Sequence, residues 1–372
     1  MGAKRDEIRV AAPQWDRFAH WPQLPARLAL LALAVLLIAA ALVPISAGPQ
    51  KVATAGFGEN LSGKAAERAR DDDLALYDIA IQRIGRGENY YDFIVAEHRK
   101  ADYPVRPGIA VRLPTLAWFD AWLGPIGQIA AAVALMLGVL AAWWRRLGDE
   151  PGGEPVRRVA VALMFLGASL GLNRHYFVLH ELWAGMLLAL AFGLHRPGKW
   201  GAAWIAAALA LAIREHALPF VLLLGAMAAW RRDWRETAAW ALLTGLFLAG
   251  LAWHLSLIDP QILPSDRQSA SWLALRGLSG WLSNVTLSSN LRFLPHWLAG
   301  PAIVLMAFGW SGWRSNAGLL GTLLYAGYAL AFMIAGRTDN FYWGAVIAPA
   351  MFVGLAFVPM AARSLWRAAE LR

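Results

Sequence analysis

Acidic and basic side chains are concentrated at a few points between long apolar runs, and their types suggest group-transfer chemistry. Asp71, Asp72 and Asp73 follow one another directly. A carboxylate can take a proton from an attacking hydroxyl group when its geometry and pKa suit that task. Arginine suits phosphate, because its planar guanidinium group binds two oxygen atoms at once. Together these residue types could supply a carboxylate base and cations that bind an anionic group.

The candidate substrate-binding side chains lie in short polar breaks between the apolar runs. They are Arg112, Arg174, His175, Arg214, Glu215, His216, Arg337 and Asp339. Histidine can serve there as a neutral or a charged group near neutral pH. Several of these groups also have a purely structural interpretation. Arg214 and Glu215 could form an ion pair that closes a turn, Arg174 could pair with Glu181, and Arg112 could reach lipid headgroups.

The composition predicts an integral membrane protein rather than a soluble domain. Of the 372 residues 58% are hydrophobic, and several apolar runs approach the length needed to cross a bilayer. The formal net charge of +9 does not indicate nucleic-acid binding, because the basic residues cluster in short loops that orient a membrane protein. The absence of cysteine excludes thiol chemistry, thiolate metal sites and disulfides.

The apolar segments predict an all-α protein with about ten transmembrane helices, forming a single transmembrane domain over residues 1–372. The segments are 28–47, 122–144, 159–172, 179–194, 202–213, 217–230, 237–255, 297–312, 317–335 and 343–361. Two long outward loops separate them, at 48–121 and 256–296. We expect amphipathic helices in the first loop, and a helix over 272–287 on the outer surface.

The stretch 202–230 is predicted to form two short helices rather than one long helix. Arg196 precedes it and Arg231 follows it, and basic flanks mark the cytoplasmic side of a membrane. The chain should therefore cross outward and return. Pro219 disfavours a continuous helix, and a charged residue at the bilayer midplane would cost about 2.5–3.5 kcal/mol. The same reasoning predicts a hairpin over 159–194.

The distribution of lysine and arginine predicts cytoplasmic termini. With ten helices, the cytoplasmic segments hold far more basic residues than the short outward turns. The hairpin tips should lie below the outer surface, because a helix of about 13 residues spans only about 20 Å. Charged groups at that depth should line a water-filled cavity. We therefore predict that Arg174, Arg214 and Arg337 share one cavity that opens away from the cytoplasm.

Part of the first long loop resembles a known family of membrane enzymes. The matching pattern is Asp73-Leu74-x-x-Tyr77-x-x-Ala80 and then Gly87-x-x-Tyr90-Tyr91. It follows the first predicted helix directly, and it resembles the first outward loop of C-fold (GT-C) glycosyltransferases. The closest likeness is to bacterial polytopic enzymes of the family 87 and family 39 types, which use polyprenyl-phosphate sugars. The short paired helices after the second predicted span are similar too.

The resemblance implies an inverting glycosyltransferase with a general base in this loop. The base acts on an acceptor hydroxyl group, and the anomeric carbon of the donor sugar is attacked from the face opposite its lipid phosphate. By position Asp73 matches this base, Asp72 is the second candidate, and Tyr77 is expected to contact substrate. Leu74 departs from the family, which often has glutamate there. The position of the base within 71–73 therefore stays open.

The resemblance also implies the partners and the location. The donor would be a sugar linked to polyprenyl phosphate, the acceptor a lipid, glycan or protein, and the surroundings the lipids of a bacterial-type inner membrane. No nucleic acid is expected. We expect no metal or other cofactor, although Asp71, Asp72 and Asp73 could bind a divalent cation through carboxylate oxygens.

Two other classes of function fit parts of the pattern. Charges inside short hairpins are typical of the broken helices with which transporters bind substrates midway across a membrane, so a lipid or polyisoprenoid transporter is the main alternative. An outward-facing acyltransferase or phosphotransferase with a histidine base is the third. Against transport, the sequence has no matched halves, and it has an acidic loop outside the membrane.

Overall fold

A computed structural model describes residues 15–47 and 72–370, without the side chains of Asp72 and Asp73. Within these ranges the protein is all-helical, and pairing between extended residues is limited to isolated bridges. The α-helices are α1 Gln23–Leu42, α2 Asp72–Gly85, α3 Tyr90–Lys100, α4 Thr115–Asp149, α5 Arg157–Ala168, α6 His180–Leu194, α7 Gly201–Ile213, α8 Leu218–Trp230, α9 Trp234–Ile258, α10 Leu278–Leu287, α11 His296–Gly312, α12 Asn316–Ile334, α13 Ala348–Met351 and α14 Val358–Glu370. The predicted all-α class is confirmed.

Six helical stretches of the described chain are long and apolar enough to cross a membrane. They are Gln23–Leu42, Gly108–Asp149, Glu154–Leu172, Trp234–Gln261, Asn316–Ile334 and Ala348–Glu370. Three shorter apolar helices are His180–Leu194, Gly201–Ile213 and Glu215–Trp230. A membrane protein is therefore supported, whereas the full count of about ten spans is not established by length and composition.

The predicted break inside the apolar stretch 202–230 is present. Helix α7 ends at Ile213, and Arg214 has extended backbone angles, with φ −148° and ψ 120°. A single 3-10 turn, Glu215–Ala217, leads into α8, whose first turn contains Pro219. Proline is tolerated at the start of a helix because the first N–H groups have no partner within the helix. The chain thus reverses at the charged residues.

Helix α4 is bent near its beginning. Gly124 has φ +63° and ψ 178°, a conformation that favours glycine, and Pro125 follows it. The carbonyl oxygen of Asp120 accepts a hydrogen bond from Nε2 of Gln128 across the bend, at 3.1 Å. The first part of α4 lies against α2, and the rest forms a long apolar helix.

Two sequence-based expectations about the second half of the chain are wrong. The predicted helix over 343–361 is broken into the 3-10 segment Thr338–Val346, α13, a second 3-10 segment and α14. Pro349 and Pro359 lie within this region, and proline interrupts the hydrogen bonds of a continuing helix. The predicted surface helix over 272–287 begins only at Leu278, and α10 is largely buried against α11, α12 and the first 3-10 segment.

Small residues let the apolar helices approach one another closely. A methyl group at Gly309 of α11 would collide with the backbone carbonyl oxygen of Gly354, and one at Gly185 of α6 would collide with that of Ala345. Helices in membranes associate mainly through packing, so glycine at such crossings sets how near two backbones can lie. These crossings hold the 338–357 region against α6 and α11, where it faces the polar tips of the hairpins.

We expect the glycine crossing to control stability. Gly309→Ala should lower the free energy of unfolding by about 1–3 kcal/mol, because the backbone at Gly354 must shift to admit the methyl group. The matched control is Gly245→Ala on α9, where an added methyl group meets no atom within 4 Å. The control should leave stability unchanged or raise it by less than about 1 kcal/mol. Equal thermal unfolding of both variants in detergent would contradict the proposed crossing.

Candidate functional site

A buried ion pair joins the first hairpin to the second. Arg214, at the tip between α7 and α8, places its Nε 2.6 Å from Oε1 of Glu181 in the first turn of α6. Both side chains are almost completely buried. Glu181 is therefore the partner of Arg214, and the expectation that it pairs with Arg174 is wrong. Two elements distant in sequence are tied together at this point.

Glu215 is the centre of a small charge network. It forms an ion pair with Nη1 of Arg214. Its Oε1 also lies 3.7 Å from Nη1 of Arg112 and 3.3 Å from Nδ1 of His216. Negative and positive groups therefore alternate in the order Glu181, Arg214, Glu215, Arg112. This alternation reduces the electrostatic cost of placing several charges in a region of low dielectric constant.

The backbone that carries Arg112 is held by hydrogen bonds from two other helices. The hydroxyl group of Tyr90 on α3 donates to the carbonyl oxygen of Arg112 at 2.7 Å. Nε2 of His254 on α9 lies 3.1 Å from the carbonyl oxygen of Val111, and its Nδ1 lies 3.2 Å from the hydroxyl group of Tyr91. Paired aromatic and histidine side chains thus fix the position from which the Arg112 side chain extends.

Arg337 approaches the same region from the opposite side. Its Nε and Nη2 lie 3.1 Å from Oδ1 and Oδ2 of Asp339, respectively. Its Nη1 donates to the hydroxyl oxygen of Ser269 at 3.3 Å and to the carbonyl oxygen of Ala270 at 3.0 Å. The extended segment before α10 is thereby fixed over the site. Asp339 thereby orients Arg337.

These groups surround one cavity of about 390 Å³. We call it the arginine cavity, and its lining includes Tyr77, His98, Arg112, Arg214, Glu215, His216, Arg267, Trp272, Arg337, Asp339, Tyr342 and Trp343. Four arginines and only two carboxylates line it, so its electrostatic balance favours a negatively charged ligand. The tyrosine and tryptophan rings add apolar surface with polar edges, which suits a sugar or a lipid headgroup.

The expectation that all the outward arginines share one cavity is wrong for Arg174. Arg174 and His175 line a separate cavity of about 670 Å³, together with Asp78 and Asp120. Successive residues of a helix point about 100° apart, and Tyr77 and Asp78 of α2 line different cavities. Helix α2 therefore forms part of the wall between them. The proposed substrate-binding set is divided into two groups.

The candidate general bases fall at the edge of what the structure describes. Asp71 lies outside the described residues, and so do the side chains of Asp72 and Asp73. The backbone of α2 begins at Asp72. Asp73 precedes Tyr77 by four residues, which is about one helical turn. The backbone of the candidate base is thus one turn from a residue that lines the arginine cavity.

Several residues near the two cavities were missed or assigned a different role by sequence reasoning. Tyr342 and Trp343 were not among the candidate site residues, yet both line the arginine cavity. Asp120 was not among the candidate residues, although an acidic residue beside the apolar run 122–144 can indicate a functional site in a membrane protein. Glu181 was considered only as a structural partner. The sequence indicates only weakly that His98 belongs to the site, because it lies among charged residues in the last turn of α3.

His98 on α3 is the clearest titratable group of the first loop. Its side chain is 6% exposed and its Nδ1 lies 3.2 Å from the carbonyl oxygen of Pro104. Burial lowers the pKa of His98 from 6.5 to about 4, and nearby Arg112 acts in the same direction. On the surface of the same region, the hydrogen bond from Arg99 holds the pKa of Asp266 down at about 2.

Comparisons of the chain with protein-family models, with curated proteins and with solved structures find no match. The interpretation of the site therefore depends on its own geometry and on the resemblance in the first loop.

We expect the ion pair of Arg214 and Glu181 to be essential for stability. Arg214→Met should lower the free energy of unfolding by about 3–5 kcal/mol, because it leaves the Glu181 carboxylate buried without its partner. The double variant Arg214→Met with Glu181→Met should recover most of this loss. Arg267→Met breaks an exposed pair with Asp102 and should cost less than about 1 kcal/mol. If Arg214→Met lowered the free energy of unfolding by no more than Arg267→Met, the ion pair would not have this role.

We expect the first loop to lose stability as the pH falls from 6.5 towards 4. The folded loop keeps His98 neutral, so over this range the unfolded loop binds a proton that the folded loop does not. The contribution is fully present above pH 6.5, and the loss is at most about 1.4 kcal/mol per pH unit. His98→Gln should remove this slope in thermal unfolding, whereas His296→Gln at an exposed position should keep it. An unchanged slope in His98→Gln would refute the assignment.

Proposed function

We propose that the protein is a membrane glycosyltransferase, which moves a sugar from a polyprenyl-phosphate carrier to the hydroxyl group of a lipid, glycan or protein acceptor. The observation that carries this proposal is the arginine cavity. Arg112, Arg214 and Arg337 converge there from three separate parts of the chain. Tyr77 of α2, one helical turn beyond Asp73, lines the same cavity. A phosphate leaving group needs cations at that place, and an acceptor hydroxyl group needs a base beside it.

The proposed reaction is a single displacement. A carboxylate at the start of α2, Asp73 or Asp72, takes the proton of the acceptor hydroxyl group. The hydroxyl oxygen then forms a bond to the anomeric carbon, while the bond from that carbon to the phosphate oxygen breaks. The electron pair of the broken bond leaves with the polyprenyl phosphate, and the proton remains on the carboxylate. The anomeric configuration is inverted, because the attack comes from the opposite face.

The arginines have separate roles in this proposal. Arg112 and Arg214 share Glu215, so each keeps nitrogen atoms that Glu215 does not contact. Nη2 of Arg214 is buried and has no hydrogen-bond partner among the described residues. These two groups are the proposed contacts to the phosphate. Arg337 is bound by Asp339, Ser269 and Ala270. We assign it two roles: it holds the extended segment before α10 in place, and it contacts the sugar.

We further propose a topology of ten spans in a bacterial-type inner membrane, with both termini in the cytoplasm. The six long apolar stretches, the three short apolar helices and α11 together give ten crossings. This topology puts the loops 48–121 and 256–296 on the outward side, where the arginine cavity lies between them. The chemistry uses carboxylate and guanidinium groups of the chain itself, so no cofactor is required.

Transfer from a radiolabelled polyprenyl-phosphate sugar, measured with purified protein in vesicles, tests the proposal. Asp73→Asn should lower turnover by about 100- to 10,000-fold, because the hydroxyl group then loses its base. Arg112→Gln should lower it as well, through weaker stabilisation of the leaving phosphate. Asp149→Asn, which changes an exposed acid that pairs with Arg196, should have no effect. Full transfer after Asp71, Asp72 and Asp73 are all changed to Asn would refute the base.

The same vesicles separate transfer from transport. A transporter would move the labelled carrier between the two leaflets without any glycosylated product, and Asp73→Asn would leave that movement intact. A glycosyltransferase should instead yield product only when an acceptor is present.

A further inference from the structure

The carboxyl group of Asp120 is buried without a hydrogen-bond partner. Its side chain has no exposed surface, and neither Oδ1 nor Oδ2 has a hydrogen-bond partner among the described residues. The backbone of the same residue is satisfied, because its carbonyl oxygen accepts a hydrogen bond from Gln128. A buried carboxyl group that makes no hydrogen bond carries a large energetic penalty unless a ligand supplies the missing donor.

Asp120 lies in the wall of the cavity that also contains Arg174. We call this space, of about 670 Å³, the Asp120 cavity. Asp78 of α2 joins Asp120 as a second carboxylate, and Arg174 and His175 come from the short turn before α6. The cavity therefore carries acidic and basic groups on different elements. Such a distribution favours a ligand that has both a positive and a negative charge.

Apart from Gln128, the rest of the lining and the surface beside it are apolar. Ile81, Phe177, Val178 and Pro125 belong to the lining. Beside the bend in α4, Trp122 is 79% exposed and Ile126 is 85% exposed. Large apolar side chains with this exposure on a helix long enough to cross a membrane are expected to face lipid, and tryptophan favours the level of the headgroups. The Asp120 cavity thus lies beside the surface that lipid would cover.

We propose that the Asp120 cavity binds a phospholipid whose headgroup carries a primary amine. The ammonium group donates hydrogen bonds to the carboxylates of Asp120 and Asp78, and the phosphate group lies against Arg174. The acyl chains leave the cavity along Trp122 and Ile126. This ligand supplies the missing donors of Asp120 and matches both signs of charge. The proposal is independent of glycosyl transfer, because none of these residues lines the arginine cavity.

Other headgroups satisfy the cavity less well. A quaternary ammonium group carries the same charge but has no N–H to donate to Asp120. An anionic headgroup with only phosphate and hydroxyl groups could contact Arg174, but it would bring a second negative charge towards two carboxylates. A primary amine is therefore the headgroup that the acidic end of the cavity should select, and Arg174 should bind phosphate without selecting between headgroups.

Native mass spectrometry of the full-length protein in detergent can test this selection. The probes are dihexanoyl phosphatidylethanolamine, dihexanoyl phosphatidylcholine and dihexanoyl phosphatidylglycerol, with soluble glycerophosphoethanolamine as competitor. We expect the ethanolamine lipid to bind at least about tenfold more tightly than the choline lipid, since charge-assisted hydrogen bonds are lost in the latter. Asp120→Asn should remove this preference. Arg174→Gln should weaken binding of all three lipids by a similar factor.

The controls keep the outcome decisive. Asp120→Asn preserves the size of the side chain and removes a buried charge, so its thermal unfolding should match or exceed that of the unchanged protein. Asp149→Asn, at an exposed position that lines neither cavity, should retain the full preference. Equal binding of the ethanolamine and choline lipids would overturn the proposal. Full displacement of the bound lipid by soluble glycerophosphoethanolamine would also overturn it. So would full displacement of the bound lipid by Mg²⁺ alone.

Discussion

The buried guanidinium group of Arg214 is the interaction on which the rest of the site depends. It lies at the tip of a hairpin of two short apolar helices, where its charge could not persist without a partner. Glu181 from α6 and Glu215 beside it provide two partners, and Glu215 extends the network to Arg112. One charge that must be compensated thereby fixes the relative position of α6, the α7–α8 hairpin and the end of the first loop.

This network also explains why the arginines can serve a ligand. Lone cations facing a small cavity would repel one another and lower the stability of the folded protein. Here a carboxylate lies beside each of Arg112, Arg214 and Arg337. The lining as a whole still contains more arginines than carboxylates. The cavity is therefore positive without any single uncompensated group. An anionic ligand would add hydrogen bonds to guanidinium groups that are already oriented, which limits the entropy lost on binding.

Helix α2 is the second organising feature of the region around the two cavities. Its two neighbouring residues Tyr77 and Asp78 face two different cavities, and its beginning carries the acids that the sequence marks as candidate bases. A single short helix thus divides a positive cavity from one with both signs of charge. Glycosyl transfer as proposed uses the first cavity, and the second remains available for a lipid. Because one rigid element borders both, a ligand in either cavity would restrict the motion of the same helix.

The sequence by itself determined the helical class and the reversal of the chain at Arg214. These features depend on local causes: the length of apolar runs, the basic residues that flank them, and proline at a helix start. Only the tertiary structure decided that Glu181 pairs with Arg214, that Arg174 lies in a separate cavity, and that α10 is buried. Each of these outcomes depends on how helices distant in sequence pack together. Packing is set by the shapes of many side chains at once, and no local pattern specifies it.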